Sequence, residues 1–312
     1  MRSIRRLLRL MGLLLVIKSF FLIVTAGLLL LLVSGRWSAR TRFVTIAQRW
    51  MSRLLLSILG ITVIVDGREN EGRELGGNLP GLLISNHLGY LDVLIIGSRY
   101  ETTFVAKSEV AGWPLIGWLA RLGGTIFLRR GDISSSVRAV YRAGRRLRTS
   151  RQLHVFPEGT TTDGRSIATF HPLFFAAAIR SRRTVLPLTL RIEEVIEKGR
   201  PVGSANEFLC WYGESALLPH LWRLLLIDSA RVLMVAHRPM VTSRSDRAAG
   251  IARRAEEVIR GELTGQRDDL PDPVTESGDW SVELVSGALL YSLLASPRSE
   301  LVQDIISSSD EG

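Results

Sequence analysis

The stretch GLLISNHLGYLDVLIIGSRY, Gly81 to Tyr100, joins an apolar strand to a helix through a short polar turn. Leu82 to Ile84 form an uninterrupted apolar run, which is typical of a buried strand, and the helical pattern begins at about Leu91. A strand that leads directly into a helix is the repeating unit of α/β folds. Ligands of such folds bind where the strands end, and here that place holds His87.

His87 and Asp92 stand five residues apart in this turn. Five positions of one regular helix amount to about 500°, so the two side chains could not meet inside it. They can meet if His87 precedes the helix and Asp92 lies in its second turn. A neutral histidine held by a carboxylate is a general base, and the positive end of a helix favours the neutral ring. The alternative is a helix capped by Ser85 or Asn86 beside an exposed histidine.

The rest of the chain repeats the alternation of strands and helices. Further strand-like runs are ITVIVDG, TTFVAKS, GTIFLRR, QLHVFPEG and TVLPLTL, with helical patterns around 114–122, 134–148, 170–180 and 244–263. This order predicts a single α/β domain, 61–263, with a mixed, largely parallel sheet flanked by helices. A linker with Pro271 and Pro273 and a short amphipathic helix, Val282 to Leu294, are predicted within 264–312.

The first 60 residues are expected to anchor the protein to a membrane. Arginines at positions 2, 5, 6 and 9 precede an apolar stretch, 11–33, and arginines at 36, 40 and 42 follow it. The uncharged part, 20–33, is shorter than the roughly 20 residues that a spanning helix needs. A cleaved signal peptide, a spanning anchor and a helix lying in one leaflet therefore stay open, and the flanking arginines favour a retained anchor. Such an anchor would place the body on the cytoplasmic face of the inner membrane.

The charge of the chain favours a phosphate-bearing partner. The formal net charge is +10, and only three of the 40 basic residues are lysines. Arginine suits bidentate contact with phosphate, which nucleic acid and anionic lipid both offer. Because the chain has no zinc-finger, RNA-recognition or helix-turn-helix pattern, we expect membrane lipid and no nucleic acid. Cys210 is the only cysteine, which excludes an internal disulfide and any multi-cysteine metal site.

Three further motifs follow or form later strands. GTIFLRRG, Gly124 to Gly131, offers two adjacent arginines to a phosphate, although a solvated charge pair is the alternative. FPEGTTTDG, Phe156 to Gly164, can position a carboxylate and direct backbone N–H groups at an anion, or can be an ordinary turn that caps the next helix. In the last motif, VLPL at 185–188, the proline suggests a sheet edge or a bulge.

In this order the four blocks resemble the glycerolipid acyltransferase family, which includes the lysophosphatidic acid acyltransferases. The family pattern is a histidine, four residues and an aspartate, then Gly-x-x-Phe ending in arginine, then Phe-Pro-Glu-Gly-Thr, then a hydrophobic block around a proline. The resemblance covers about 82–190, and Lys107 stands at a basic position usual between the first two blocks. The chain departs from the pattern where Arg129 replaces a common acidic residue and where Thr161 replaces a common arginine.

The resemblance implies transfer of an acyl group from acyl-CoA or acyl carrier protein to a lysophospholipid hydroxyl, with no metal or cofactor. His87 and Asp92 would be catalytic. The residues expected to bind substrate are Lys107, Gly124, Arg129, Arg130, Glu158, Gly159 and Thr160. The acceptor expected first is lysophosphatidic acid, and the altered blocks leave another lysolipid, such as lyso-ornithine lipid, as the alternative.

Functions from other classes also stay open. GRSIA, Gly164 to Ala168, nearly matches the nucleophile elbow of a serine lipid hydrolase, but no strand runs directly into it. A metal-dependent phosphohydrolase would use His87, Asp92, Glu158 and Asp163, which lack a recognised ligand spacing. A non-catalytic lipid-binding protein is also consistent with the anchor and the positive charge.

Overall fold

A computed structural model describes residues 2–35, 39–71, 81–114, 116–149 and 151–265 of the chain. They form one mixed sheet flanked by helices, with a pair of helices at the amino end. The linker and amphipathic helix predicted for 264–312 lie outside the described residues, apart from positions 264 and 265.

The sheet contains eight strands within the described residues. They are β1 (Ile61–Asp66), β2 (Leu82–Ser85), β3 (Thr102–Lys107), β4 (Ile126–Leu128), β5 (Gln152–Val155), β6 (Val185–Glu197), β7 (Arg200–Pro201) and β8 (Ser229–Ala236). Their order is β1-β8-β6-β2-β5-β3-β4, with β7 beside β6. The block from β6 to β4 is parallel, whereas β8 is antiparallel to β6 and parallel to β1. The predicted mixed, largely parallel sheet is confirmed.

Helices cover both faces of this sheet. They are α1 (Arg2–Val33), α2 (Arg40–Leu59), α3 (Leu91–Arg99), α4 (Ile116–Leu122), α5 (Ile133–Arg148), α6 (Phe175–Ser181), α7 (Ala205–Leu209), α8 (Leu217–Leu224) and α9 (Ala248–Thr264). Successive residues of a strand point to opposite faces of the sheet, so the side chains of β2 pack in two hydrophobic cores. Leu82 and Ile84 pack in the core under α5, α6 and α9, and Leu83 packs in the core under α2 and α3.

The structure differs from the sequence expectations in several elements. Strands β7 and β8 and helices α7 and α8 were not predicted, and α6 begins at Phe175 instead of near 170. The expectation that Pro187 marks a sheet edge or a bulge is wrong, because β6 lies between β8 and β2. Pairing with β8 begins one residue later, at Leu188, and the carbonyl of Pro187 accepts from His237 N at 3.0 Å. The irregularity of β6 falls instead between Ile192 and Glu194.

Helices α1 and α2 form a hairpin that packs against α3 of the sheet domain. Phe20 and Val24 of α1 are buried in one cluster with Val44 and Met51 of α2. The two helices approach closely, since a Cβ at Gly27 would lie 2.2 Å from Cζ of Phe43. At Gly12 the corresponding contact, with Cδ1 of Ile58, would be an ordinary 3.4 Å.

The amino end of α1 is also fixed to the loop before β8. Arg9 donates to the carbonyl oxygens of Ile227 at 2.5 Å and Asp228 at 3.2 Å, and Arg5 forms an ion pair with Asp228. Most large apolar side chains on the outer side of α1 are exposed. Among the described helices, α1 is the one that is long and apolar enough over Ile4–Val33 to cross a membrane, judged by length and composition. This surface supports association with a membrane.

Candidate active site

The chemical motifs converge at one edge of the sheet. Strands β2, β3, β4 and β5 are mutually parallel, so their carboxyl ends lie on the same side. His87 follows β2, Lys107 ends β3, Arg130 follows β4 and Glu158 follows β5. The predicted location of the chemistry at the strand ends is confirmed.

His87 and Asp92 are in direct contact. His87 Nδ1 lies 2.8 Å from Oδ2 of Asp92, and the carboxylate is buried while the ring is about one-fifth exposed. The same oxygen accepts the backbone N–H groups of Leu88 at 2.6 Å and Gly89 at 3.0 Å. Asp92 lies in the first turn of α3, so the expected second turn is wrong. The difference has a physical reason: the loop between strand and helix turns back far enough for a first-turn carboxylate to reach the ring.

The capping residues considered from the sequence have another role. Tyr90 precedes α3 without a side-chain cap, and Ser85 bonds locally to the carbonyl of Asn86. The buried amide of Asn86 donates to Leu190 O at 2.9 Å and accepts from Leu190 N at 2.8 Å. This two-bond clamp fixes the catalytic turn to β6.

The backbone of His87 is held on both sides by the FPEGTTTDG loop. Glu158 accepts the N–H of His87 at 2.7 Å, and Thr162 donates its N–H to the His87 carbonyl at 2.8 Å. The other oxygen of Glu158 accepts from Ala168 N at 2.7 Å. Burial raises the pKa of Glu158 from 4.5 to about 7, against the lowering effect of the two amides. Glu158 therefore braces the position of His87.

Aromatic rings set the plane of the imidazole. Phe156 stacks on His87 with a centroid separation of 3.8 Å and an interplanar angle of 14°. The other neighbour of Phe156 is His154, edge to face at 4.5 Å. Burial keeps the pKa of His154 well below its ordinary value, which makes it a neutral packed residue. Phe156 belongs to the FPEGTTTDG motif, but nothing in the sequence predicts that its ring stacks on His87.

Two of the predicted cations lie beside the loop. A Cβ at Gly159 would lie 3.5 Å from Nη2 of Arg130 and 3.3 Å from Cδ2 of His171. Partial desolvation and then the nearby Arg130 charge lower the pKa of Lys107, which places these two cations close to one another. Thr160 is exposed on the same loop. Lys107, Arg130, Gly159 and Thr160 are thus brought to one rim.

Two other predicted residues stand apart from this rim. Arg129 is exposed, and its backbone N–H donates at 2.9 Å to Oγ of Ser135, in the first turn of α5, which Asp132 caps. Gly124 precedes β4, at the end of the strand opposite to Arg130, and its carbonyl accepts from Arg146 at 2.6 Å. Their roles in substrate binding remain predictions.

Helix α9, far along the chain, supports the loop from outside. Glu256 accepts the N–H of Phe170 at 2.9 Å, and Arg260 donates to the carbonyl of Ile167 at 3.4 Å. Sequence reasoning missed these contacts, because no local pattern connects an Arg/Glu-rich surface helix with a loop 90 residues earlier in the chain.

Two of the rival chemistries find no support in the geometry. Ser166 of the GRSIA match is exposed and makes no hydrogen bond to a histidine in the described ranges. Over the same residues, no group of three or more His, Cys, Asp and Glu is arranged to hold a metal ion. What the site offers is a histidine in contact with a buried carboxylate.

Comparison with known proteins agrees with this chemistry. Residues 62–191 match the sequence profile of the family described as Acyltransferase. A lyso-ornithine lipid O-acyltransferase of Pseudomonas aeruginosa is 34% identical over 217 residues, which cover 70% of this chain and 78% of that protein. A 1-acyl-sn-glycerol-3-phosphate acyltransferase of Neisseria meningitidis is 28% identical over 170 residues, covering 53% of this chain and 63% of that protein.

A solved structure shares the fold. The crystal structure of the 1-acyl-sn-glycerophosphate (LPA) acyltransferase PlsC from Thermotoga maritima superposes with a TM-score of 0.59 over 87% of this chain and 100% of that chain. The sequences are 19% identical in this alignment, so the likeness shows the architecture alone. Together with the sequence relatives, these findings confirm the resemblance of the four blocks, and the chain belongs to the glycerolipid acyltransferase family as an acyltransferase that acts on lysolipids.

Proposed function

We propose that the protein transfers a fatty acyl group from a thioester donor to the hydroxyl of lyso-ornithine lipid. The contact between His87 Nδ1 and Asp92 Oδ2 at 2.8 Å carries the chemistry of this proposal. The acceptor is favoured by the similarity to the lyso-ornithine lipid enzyme, which is higher and covers more of the chain than the similarity to the 1-acylglycerol-3-phosphate enzyme. The comparisons therefore favour the alternative acceptor over lysophosphatidic acid, which the sequence placed first.

His87 is the general base in this reaction. Because Nδ1 donates to Asp92, the ring presents an unprotonated Nε2 to the substrate. Nε2 removes the proton of the acceptor hydroxyl while the hydroxyl oxygen attacks the thioester carbonyl. The buried negative charge of Asp92 stabilises the imidazolium that forms, and the proton then passes to the departing thiolate. No acyl-enzyme intermediate is required.

The oxyanion is stabilised by amides of the FPEGTTTDG loop. The N–H groups of His87, Leu88 and Gly89 already donate to Glu158 and Asp92, and that of Gly159 donates to Phe156 O. The amides of Thr160 and Thr161 have no acceptor among the described residues. These two amides are therefore available to bind the oxyanion, whereas those of Gly159 and of the turn at His87 are already engaged.

The anionic group of the acceptor binds at the cationic rim. Arg130 lies beside Gly159, and Lys107 is within electrostatic reach of Arg130. A guanidinium suits a carboxylate as well as a phosphate. Arg129, whose backbone N–H donates to Ser135, and Gly124, which precedes β4, remain predicted members of the binding set. Thioesters of coenzyme A and of acyl carrier protein both remain as donors.

The membrane delivers the acceptor. The proposal places α1 in contact with the bilayer and the body on the cytoplasmic face of the inner membrane, which the arginines that flank the apolar stretch favour. The exposed apolar side of α1 supports this arrangement.

A panel assay tests the acceptor. Purified protein in mixed micelles would receive one radiolabelled acyl thioester and, separately, lyso-ornithine lipid, lysophosphatidic acid and lysophosphatidylethanolamine. We expect the highest kcat/KM for lyso-ornithine lipid. A preference for lysophosphatidic acid would refute the proposed acceptor and leave the chemistry intact.

A second experiment tests the chemistry. Replacing His87 by alanine removes the base and should lower kcat by about 10²–10⁴. Phe156→Leu is a useful comparison, because it removes the stacked ring and keeps the base. Near-normal turnover by folded His87→Ala protein would favour the non-catalytic lipid-binding alternative or another catalytic group.

A further inference from the structure

Asp163 lies at the end of the loop that encloses His87. Its neighbour Thr162 bonds to the carbonyl of His87 at 2.8 Å, and a Cβ at Gly164 would lie 2.9 Å from Cδ2 of Leu88. Asp163 is thus held between two residues that contact the catalytic turn itself. Its side chain is half-buried.

The backbone around Asp163 is firmly fixed. Its carbonyl oxygen accepts from Nδ2 of Asn206 at 2.8 Å and from Sγ of Cys210 at 3.4 Å. Burial, together with the charges of Asp92 and Asp163, raises the pKa of the Cys210 thiol to about 12, so both carboxylates lie within electrostatic reach of that sulfur. Gly164 adopts φ +76°, and a larger residue there would displace Leu88. The loop therefore presents Asp163 at a constant position relative to His87.

The charge of Asp163 has no cationic partner in the described part of the chain. One oxygen, Oδ1, accepts the backbone N–H of Arg165 at 3.0 Å. The guanidinium of Arg165 extends to Ser204 Oγ at 3.4 Å, and no described ion pair includes Asp163. A half-buried carboxylate without a counter-charge can accept a charge-assisted hydrogen bond from a bound ammonium.

The proposed acceptor supplies such a group. An ornithine acylated through its α-amine keeps a carboxylate and a side-chain ammonium. Arg130 lies beside Gly159 at one end of the loop, and Gly164, the neighbour of Asp163, meets Leu88 at the other end. Lys107 is within electrostatic reach of Arg130. We propose that Asp163 binds the ammonium of the acceptor headgroup while Arg130 and Lys107 bind its carboxylate, which makes Asp163 a determinant of acceptor specificity. This inference rests on the proposed acceptor.

The test compares two acceptors that differ by one charge. They are lyso-ornithine lipid and the same lipid with its side-chain amine acetylated. We expect the wild-type protein to prefer the free amine by roughly tenfold to a hundredfold in kcat/KM, the range of one charged hydrogen bond. Asp163→Asn, which keeps the acceptor for Arg165 N, should reduce this preference to within about threefold and leave turnover of the acetylated lipid nearly unchanged.

Two further variants make the comparison interpretable. Asp163→Glu keeps the charge and should retain a clear preference for the free amine. Asp246→Asn is a matched control, since this aspartate also accepts a backbone amide, from Ser243 at 2.6 Å, in the turn before α9. It should behave as wild type with both lipids.

The outcomes separate this inference from the proposed function. Equal losses with both lipids in Asp163→Asn, or a preference that persists in it, would overturn the role of Asp163 and leave the acceptor class intact. If the wild-type protein acylates neither ornithine lipid and does acylate lysophosphatidic acid, the proposed acceptor is wrong and the assignment of Asp163 falls with it.

Discussion

Replacing Asp92 by asparagine tests what the buried carboxylate contributes to catalysis. One oxygen, Oδ2, accepts from Leu88 N at 2.6 Å, Gly89 N at 3.0 Å and His87 Nδ1 at 2.8 Å. Two of these donors are backbone amides, so the oxygen of an asparagine must occupy the same position. It would still accept from Nδ1 and would keep Nε2 as the free base. The substitution therefore removes the charge and preserves the orientation of the ring.

The expected loss follows from the charge alone. Hydrogen bonds to charged groups contribute about 1.5–3 kcal/mol and neutral ones roughly 0.5–1.5 kcal/mol. Adding the lost attraction between Asp92 and the imidazolium, we expect about 2–3 kcal/mol, which lowers kcat roughly 30- to 150-fold. Asp92→Ala also removes the acceptor that fixes the tautomer, so its loss should approach 10⁴-fold. KM for the acceptor should change little, because Asp92 is only 1% exposed.

The assay measures initial rates at saturating acceptor together with the thermal unfolding midpoint, which identifies misfolded variants. Asp246→Asn serves as the matched control here as well and should retain the wild-type kcat. A folded Asp92→Asn protein with kcat within threefold of wild type would refute the role of the charge. A loss as large as that of Asp92→Ala would refute the argument that the amides fix the asparagine oxygen.

Three other experiments, each of which compares two proteins, test separate parts of the molecule. Arg130→Gln should raise KM for the acceptor about tenfold to a hundredfold, because Arg130 lies beside Gly159 of the loop. The adjacent substitution Arg129→Gln should change KM by less than about threefold. Titration of the acceptor measures both values, and equal effects would contradict the different positions of the two arginines. Gly27→Ala should lower the free energy of unfolding by about 1–3 kcal/mol, because the new Cβ would lie 2.2 Å from Cζ of Phe43. Gly12→Ala should be neutral or stabilising, because its Cβ would make an ordinary contact. Thermal unfolding measures both. For Glu158, the folded pKa of about 7 lies above its ordinary value of 4.5, so the folded protein holds a proton that the unfolded chain has released. The free energy of unfolding of the wild-type protein, relative to that of Glu158→Gln, should therefore fall as the pH rises from about 4.5 to 7 and stay constant above pH 7. A difference between the two proteins that does not change with pH over that range would contradict this pKa shift.

The sequence predicted those parts of the fold that depend on local pattern. The run from Leu82 to Ile84 and the helix after Leu91 were both identified, and the strand ends placed His87, Lys107, Arg130 and Glu158 together. The spacing of apolar residues and the position of turn residues are sufficient to predict such elements, because both reflect the burial of a single segment.

Other features depend on partners distant in the chain. Strand β8 was missed, although it pairs with β6 over most of its length and extends the sheet to β1. The clamp between Asn86 and Leu190 joins residues 104 positions apart, and the brace from Glu158 to His87 joins residues 71 apart. Such contacts follow from the folded topology, so a single sequence carries no local signal for them.

The anchoring of α1 by Arg9 has a practical consequence for anyone who purifies the enzyme. Val24 is completely buried between the hairpin and the body, and the Arg9 guanidinium holds the loop that leads into β8. A detergent that binds the buried side of α1 will therefore disturb the packing of the sheet as well as the contact of α1 with the membrane. Harsh detergents should therefore behave as inactivators in their own right, and a mild one that covers only the outward side of the helix will set the activity that is measured.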